Sequence, residues 1–229
     1  MKIFCSAAIL GCIGLSLLSA TLALGAAPGT LAEADALMKG PSLDLSQAAR
    51  ALSLYKEALA AGGGDRVAVL ARLARTCFVL GQIGPQAQKM EYYRQGQSYA
   101  ETLMSEASDR VEGHYWLAMN FCGQSEEGGK LLGRKLLPRI IEELQRALAL
   151  DETYDQAGAH RVLGRIYYEA PGWPLSVGDL QKSLEHLKAA VRLAPGNSTN
   201  HLYLAQSLMR LPDNPAAAQQ LALVLKSTG

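Results

Sequence analysis

Aromatic residues are few in this 229-residue chain, with 3 Phe, 2 Trp and 9 Tyr, and its charges cancel: 22 Lys and Arg against 21 Asp and Glu, net +1. With no basic excess there is no electrostatic footprint for a nucleic acid, which argues against a DNA or RNA binder. Cysteine is scarce too, at four residues, with no Cys-x-x-Cys and no metal-ligand spacing. No stretch alternates β-branched with polar residues, so no sheet is expected. There is no Gly-x-Ser-x-Gly and no His-Glu-x-x-His, and Leu131 stands where a phosphate loop after Lys130 would need Ser or Thr. The carboxylate pairs Glu126/Glu127 and Glu142/Glu143 are adjacent and diverge around a helix instead of facing one substrate. No catalytic residue, cofactor or metal is expected, and the chain is not read as an enzyme.

What is present begins with an address. Residues 1–25 have a positive start at Lys2, an apolar run from Ile3 to Leu24, and a small-residue exit at Ala23-Leu24-Gly25. That is the layout of a secretory signal peptide, and it predicts a periplasmic protein. Two alternatives stay open: an uncleaved inner-membrane anchor over residues 3–24, or lipidation at Cys12 within Ile9-Leu10-Gly11-Cys12. Lys2 is the only ionisable charge of this segment, so the remainder of the chain is formally neutral. Cys77 and Cys122 remain, both in apolar helical contexts, and are expected as packed thiols in preference to a disulfide.

Beyond Gly29 nearly every segment reads as amphipathic helix punctuated by Gly, Pro or Asn, and the helices repeat. Leu163 sits in a Leu-Gly-x-x-Tyr core typical of a tetratricopeptide first helix, and the same position recurs at Leu73, Leu117 and Leu204. The next residue is always small (Ala74, Ala118, Gly164, Ala205), and three further on come Cys77, Phe121, Tyr167 and Leu208. Second helices carry stripes such as Leu137/Ile141/Leu144/Leu148 and Leu180/Leu184/Leu187/Val191. The fold class expected is an all-α, tetratricopeptide-like α-solenoid over residues 30–229. Its five hairpins fall at about 30–61, 65–105, 110–151, 155–195 and 198–227, stacked into a continuous core. The ruler leucines are spaced by 44, 46 and 41 residues, against about 34 in an ordinary unit. The extra residues predict lengthened loops within the middle hairpins, at Gly81–Pro85, Gly123–Gly129 and Ala170–Pro174, all emerging at one edge of the solenoid.

Three side-chain groupings stand out. His114, His160 and His201 each precede a ruler leucine by three, and helix spacing of about 8–10 Å keeps such a row from sharing one ion, so packing is expected; His186 is given no role. Trp173, in a Pro-Gly-Trp-Pro turn after Tyr167 and Tyr168, reads either as an interface anchor or as a cap on its own hairpin. The basic stretch Lys130 to Arg139 reads as a solvated face of a helix starting near Pro138, with membrane-surface or anionic-ligand contact as the alternative.

Several of these segments resemble one family. They are Gly113-His-Tyr-Trp-Leu-Ala-Met-Asn120, the helix Leu136 to Ala147, His160-Arg-Val-Leu-Gly-Arg-Ile-Tyr-Tyr-Glu-Ala-Pro-Gly-Trp-Pro174, Ser176-Val-Gly-Asp179 and Asn200-His-Leu-Tyr-Leu-Ala205. Over residues 45–210 they are similar to the TatT family, the tetratricopeptide T-component associated with tripartite ATP-independent periplasmic transporters. The resemblance implies a trimeric periplasmic protein that docks an extracytoplasmic solute-binding protein and passes on a small hydrophobic ligand. Tyr167, Tyr168 and Trp173 are the partner-binding residues expected. The alternative function is a generic envelope scaffold with no small-molecule ligand.

Overall fold

The computed structural model describes residues 31–39, 43–62, 65–211 and 215–227. The leader, with Cys5 and Cys12, lies outside the described residues. Helices α1 (Leu31–Leu37) and α2 (Leu45–Ala60) form the first hairpin, α3 (Arg66–Ile83) and α4 (Gln86–Glu106) the second. The third is α5 (Val111–Leu150), interrupted at Gly129; α6 (Tyr154–Glu169) with α7 (Leu180–Leu193), and α8 (Ser198–Leu208) with α9 (Pro215–Ser227), complete five. Short polar residues set the starts. Asp44 accepts from the Gln47 amide at 2.8 Å while the Gln47 side chain accepts from the Asp44 amide, a reciprocal capping box. Asp65, Asp179 and Asn197 cap α3, α7 and α8 by accepting from first-turn amides, without the reciprocal bond.

Successive first helices pack on one another, α3 on α5 and α6 on α8, while each second helix covers its own first helix. This is how stacked hairpins line one face of a solenoid with first helices. The ruler leucines and the small residues after them are all buried. The largest core cluster runs through hairpins two to four, with smaller clusters at either end. Bare glycine faces allow the closest approaches. A Cβ at Gly81 or at Gly123 would lie 2.3 Å from the Tyr93 ring, so that ring is clasped between α3 and α5. A Cβ on Gly164 would meet Leu187 at 2.5 Å, which explains the small residue after the ruler position. Cys77 and Cys122 are buried free thiols, and burial pushes the Cys77 thiol up to about 12.

The expected lengthening is distributed differently. Residues 81–83 and 123–128 are helical, and α3 passes to α4 through Gly84 and Pro85 alone. In the third hairpin the chain reverses at Gly129, whose φ of 75° a glycine adopts freely. Only residues 170–179 form an open loop, because Pro171 and Pro174 lack the N–H groups that would extend α6. Pro138 likewise does not start a helix; it lies inside one that begins just past Gly129. Among the described residues no helix is long and apolar enough to cross a membrane.

Candidate partner-binding groove and turn edge

The first helices enclose an open groove of about 260 Å³, lined from α1 to the start of α6 by residues that include Asp35, Arg72, Arg75, Trp116 and Tyr154. Arg72 and Trp116 each directly precede a ruler leucine, so the repeat itself turns them to this face. Asp35 accepts from Arg72 at 2.8 and 3.1 Å and from the Tyr55 hydroxyl at 2.6 Å. Desolvation pushes its carboxyl up, but these two donors outweigh burial and hold it below the ordinary carboxylate value. The Trp116 indole N–H donates to the Tyr154 hydroxyl at 2.8 Å, and burial pushes that phenol up to about 12.

Arg75 differs from its neighbours. Its guanidinium lies 6.0 Å over the Trp116 ring, and its buried Nε has no hydrogen-bond partner. The groove thus holds one cation paired with Asp35 and one that faces an aromatic surface and forms no ion pair among the described residues, an arrangement suited to an anionic or amide group carried in on a ligand.

The far wall depends on an unusual turn. Asp155, Gln156 and Ala157 all have φ between 50° and 60°, a left-handed run that costs roughly 1–2 kcal/mol per residue. Buried Arg161 holds it, donating to the Asp155 and Gln156 carbonyls and at 2.9 Å to the Asp155 carboxylate, which also accepts from Tyr115 at 2.5 Å. Asn200 of α8 donates to the Gln156 carbonyl as well. Tyr154 is positioned in the groove by contacts from three hairpins.

The three residues expected to bind a partner do not share one surface. Tyr167 is buried, stacked on His186 at 5.7 Å and 17°. Tyr168 is half-buried between Arg165 and Arg210, and its carbonyl accepts from Arg210 at 2.8 Å. Trp173 alone projects, 89% exposed, so it does not cap its own hairpin.

The histidines form pairs across their hairpins. His114 lies 2.6 Å from Glu143 and 3.0 Å from the Ser108 carbonyl; His201 lies 2.6 Å from Gln220 and 2.8 Å from the Pro195 carbonyl. His160 faces His186, Nδ1 to Nδ1, at 2.9 Å. His186, given no role from sequence, is therefore the fourth hairpin's partner at this repeat position. Its sequence signal was only its place on a second helix opposite His160, legible once the hairpin is closed.

The solenoid is similar to the crystal structure of TTC0263, a thermophilic TPR protein of Thermus thermophilus, with a TM-score of 0.60 and 22% identity over 80% of this chain and 84% of that one. That likeness shows the fold, and the class of protein is a tetratricopeptide-like α-solenoid. No curated protein matches the sequence. Over residues 30–174 the sequence matches the family described as regulator of microtubule dynamics protein 1-3, and the chain belongs to that family. This corrects the resemblance to TatT. The segments that suggested it solve general problems of a repeat: Gly164 makes room for Leu187, Gly178 packs its backbone against the Ala170 carbonyl, and Asp179 caps α7. The solute-binding partner, trimer and hydrophobic ligand lose the resemblance on which they stood.

Proposed function

We propose that the protein is a non-enzymatic binding scaffold whose groove receives a polypeptide segment of a partner, with an acidic or amide side chain against Arg75 and an apolar one beside Trp116. The observation that carries this reading is Arg75, a guanidinium that lines the groove above the Trp116 indole and forms no ion pair among the described residues. Concave surfaces of stacked repeats are where solenoids bind extended ligands. The charged lining supports a polar segment over a purely apolar small molecule. The family description names a regulator and no reaction, which agrees with action by binding; whether the partner here belongs to microtubule dynamics is set by the captured protein. The leader-like residues 1–25 support a periplasmic place for this work.

The test is site-specific photocrosslinking in the native host, with the probe at Ala71 in the groove and, as control, at Glu101 on α4. A polypeptide captured at 71 and not at 101, with capture lowered about tenfold by Arg75→Glu, is the expected result. Equal capture at both sites, or none at 71, overturns the reading.

A further inference from the structure

The turn edge makes a second surface, independent of the groove. Among the described residues, and with the exception of Leu225 near the end of α9, every large apolar side chain exposed by more than half sits where a first helix passes to its second. They are Leu131 at 83%, Trp173 at 89%, Leu175 at 80% and Met209 at 64%, from three consecutive hairpins. Intra-hairpin turns of a solenoid emerge at one edge, and bonds join neighbours there: Gln86 to Glu127 between turns two and three, and Arg210 to the Tyr168 carbonyl between turns five and four. The fourth turn is held in shape. Gly178 donates to the Pro171 carbonyl at 2.9 Å, Leu175 to Gly172 at 3.0 Å and Asp179 to Tyr167 at 2.9 Å. Trp173 and Leu175 are thus presented outward by a hydrogen-bonded frame.

Charge at this edge is uneven in its engagement. The carboxylates are occupied: Glu127 by Gln86, Glu169 by Arg165, Asp179 by the cap of α7. Lys130, Arg134 and Lys135, flanking Leu131, form no ion pair among the described residues, whereas Arg139 one turn on pairs with Glu142 and Glu143.

We propose that this edge docks on an anionic phospholipid surface, with Trp173, Leu175, Leu131 and Met209 entering the headgroup layer and Lys130, Arg134 and Lys135 facing lipid phosphates. Tryptophan favours the membrane–water interface, where its apolar ring and N–H are both accommodated. Apolar tips beside unpaired cations are the combination that holds a protein on such a surface. A second copy of the chain fits less well: a stable dimer buries about 800 Å² per partner on a continuous face, and these tips are separate projections that a fluid layer can receive one by one.

Trp173 supplies its own probe, because the other tryptophan, Trp116, is buried. The full-length chain is mixed with vesicles of equimolar phosphatidylglycerol and acyl-brominated phosphatidylcholine, and with brominated phosphatidylcholine alone. Local Trp173 fluorescence is read, not total binding, since the Ile3–Leu24 run has its own affinity for bilayers. The proposal expects blue-shifted, bromine-quenched emission with the anionic vesicles only, absent in Trp173→Phe and reduced about tenfold in the Lys130→Gln/Arg134→Gln/Lys135→Gln variant at equal lipid. Continued acrylamide access to Trp173 on anionic vesicles overturns it, as does equal quenching without phosphatidylglycerol. Concentration-dependent protection of Trp173 in the absence of lipid assigns the edge to a second copy and overturns it too.

Discussion

The third and fourth hairpins start from matched residues and arrive at different chemistry. Both place a histidine three residues before a ruler leucine, a small residue after it, and an aromatic three further on. In the third hairpin His114 reaches a fully buried carboxylate, Glu143, whose other oxygen accepts from Arg139 at 2.6 Å. In the fourth, His160 meets a second imidazole, and the pair sits under Tyr167. The turns differ likewise: one glycine reverses the third hairpin, and a ten-residue loop the fourth. A repeat position thus specifies where a side chain points, while the residue it meets, supplied by another helix, decides whether the contact is to a buried carboxylate or to a second imidazole.

The largest test breaks the third hairpin's pair. Glu143→Ala leaves the His114 nitrogen without its acceptor in a dry core, and urea unfolding should show a loss of about 3 kcal/mol or more. His186→Leu at pH 7.5 should cost far less, since it replaces one neutral packing partner with another.

The second test uses pH to separate the two hairpins. Burial, then the neighbouring His160, lowers His186 from 6.5 to about 4, and burial lowers His160 as well, with Glu152 opposing. Because the unfolded chain binds these protons more readily, the contribution is complete above about pH 6.5 and is lost progressively as pH falls toward 4. The expected loss is about 2 kcal/mol by pH 4, after allowing for solvent at a partly exposed ring. Most of it should be absent from the pH profile of His186→Leu, where only His160 still titrates below its ordinary value; an unchanged slope in that variant would mean that other groups carry the acid sensitivity.

The smallest test compares the turns. Gly129→Ala meets no atom within 4 Å, so its cost is the backbone conformation alone, φ 75° and ψ −172°, a region essentially confined to glycine, and thermal unfolding should show a loss of about 1–3 kcal/mol. Trp173→Ala on the fourth turn should change stability by less than about 0.5 kcal/mol, because that side chain packs on nothing it could lose.

The helical repeat could be read from spacing because a solenoid buries the same positions in every unit. Leu73, Leu117, Leu163 and Leu204, their small neighbours, and Cys77, Phe121, Tyr167 and Leu208 all lie inside. The turns were less legible. Glycines at 81 and 123 look like loop punctuation, yet each stands in a helix where the Tyr93 ring leaves no space for a Cβ. Tyr167 carried two readings, a core-filling repeat position and a partner-binding aromatic near Trp173; helical spacing from Leu163 directs it inward. The groove escaped notice because Asp35, Arg72, Arg75, Trp116 and Tyr154 come from four hairpins and share no linear pattern.

Composition and periodicity were sufficient for the helices, their pairing into five hairpins and the buried face of each, because those follow from local propensity and a repeated apolar stripe. Packing decided the rest: which partner each histidine meets, where the extra residues become helix or loop, and the gathering of Arg75 and Trp116 in one groove. Those outcomes depend on distances between helices that only the stacked hairpins set.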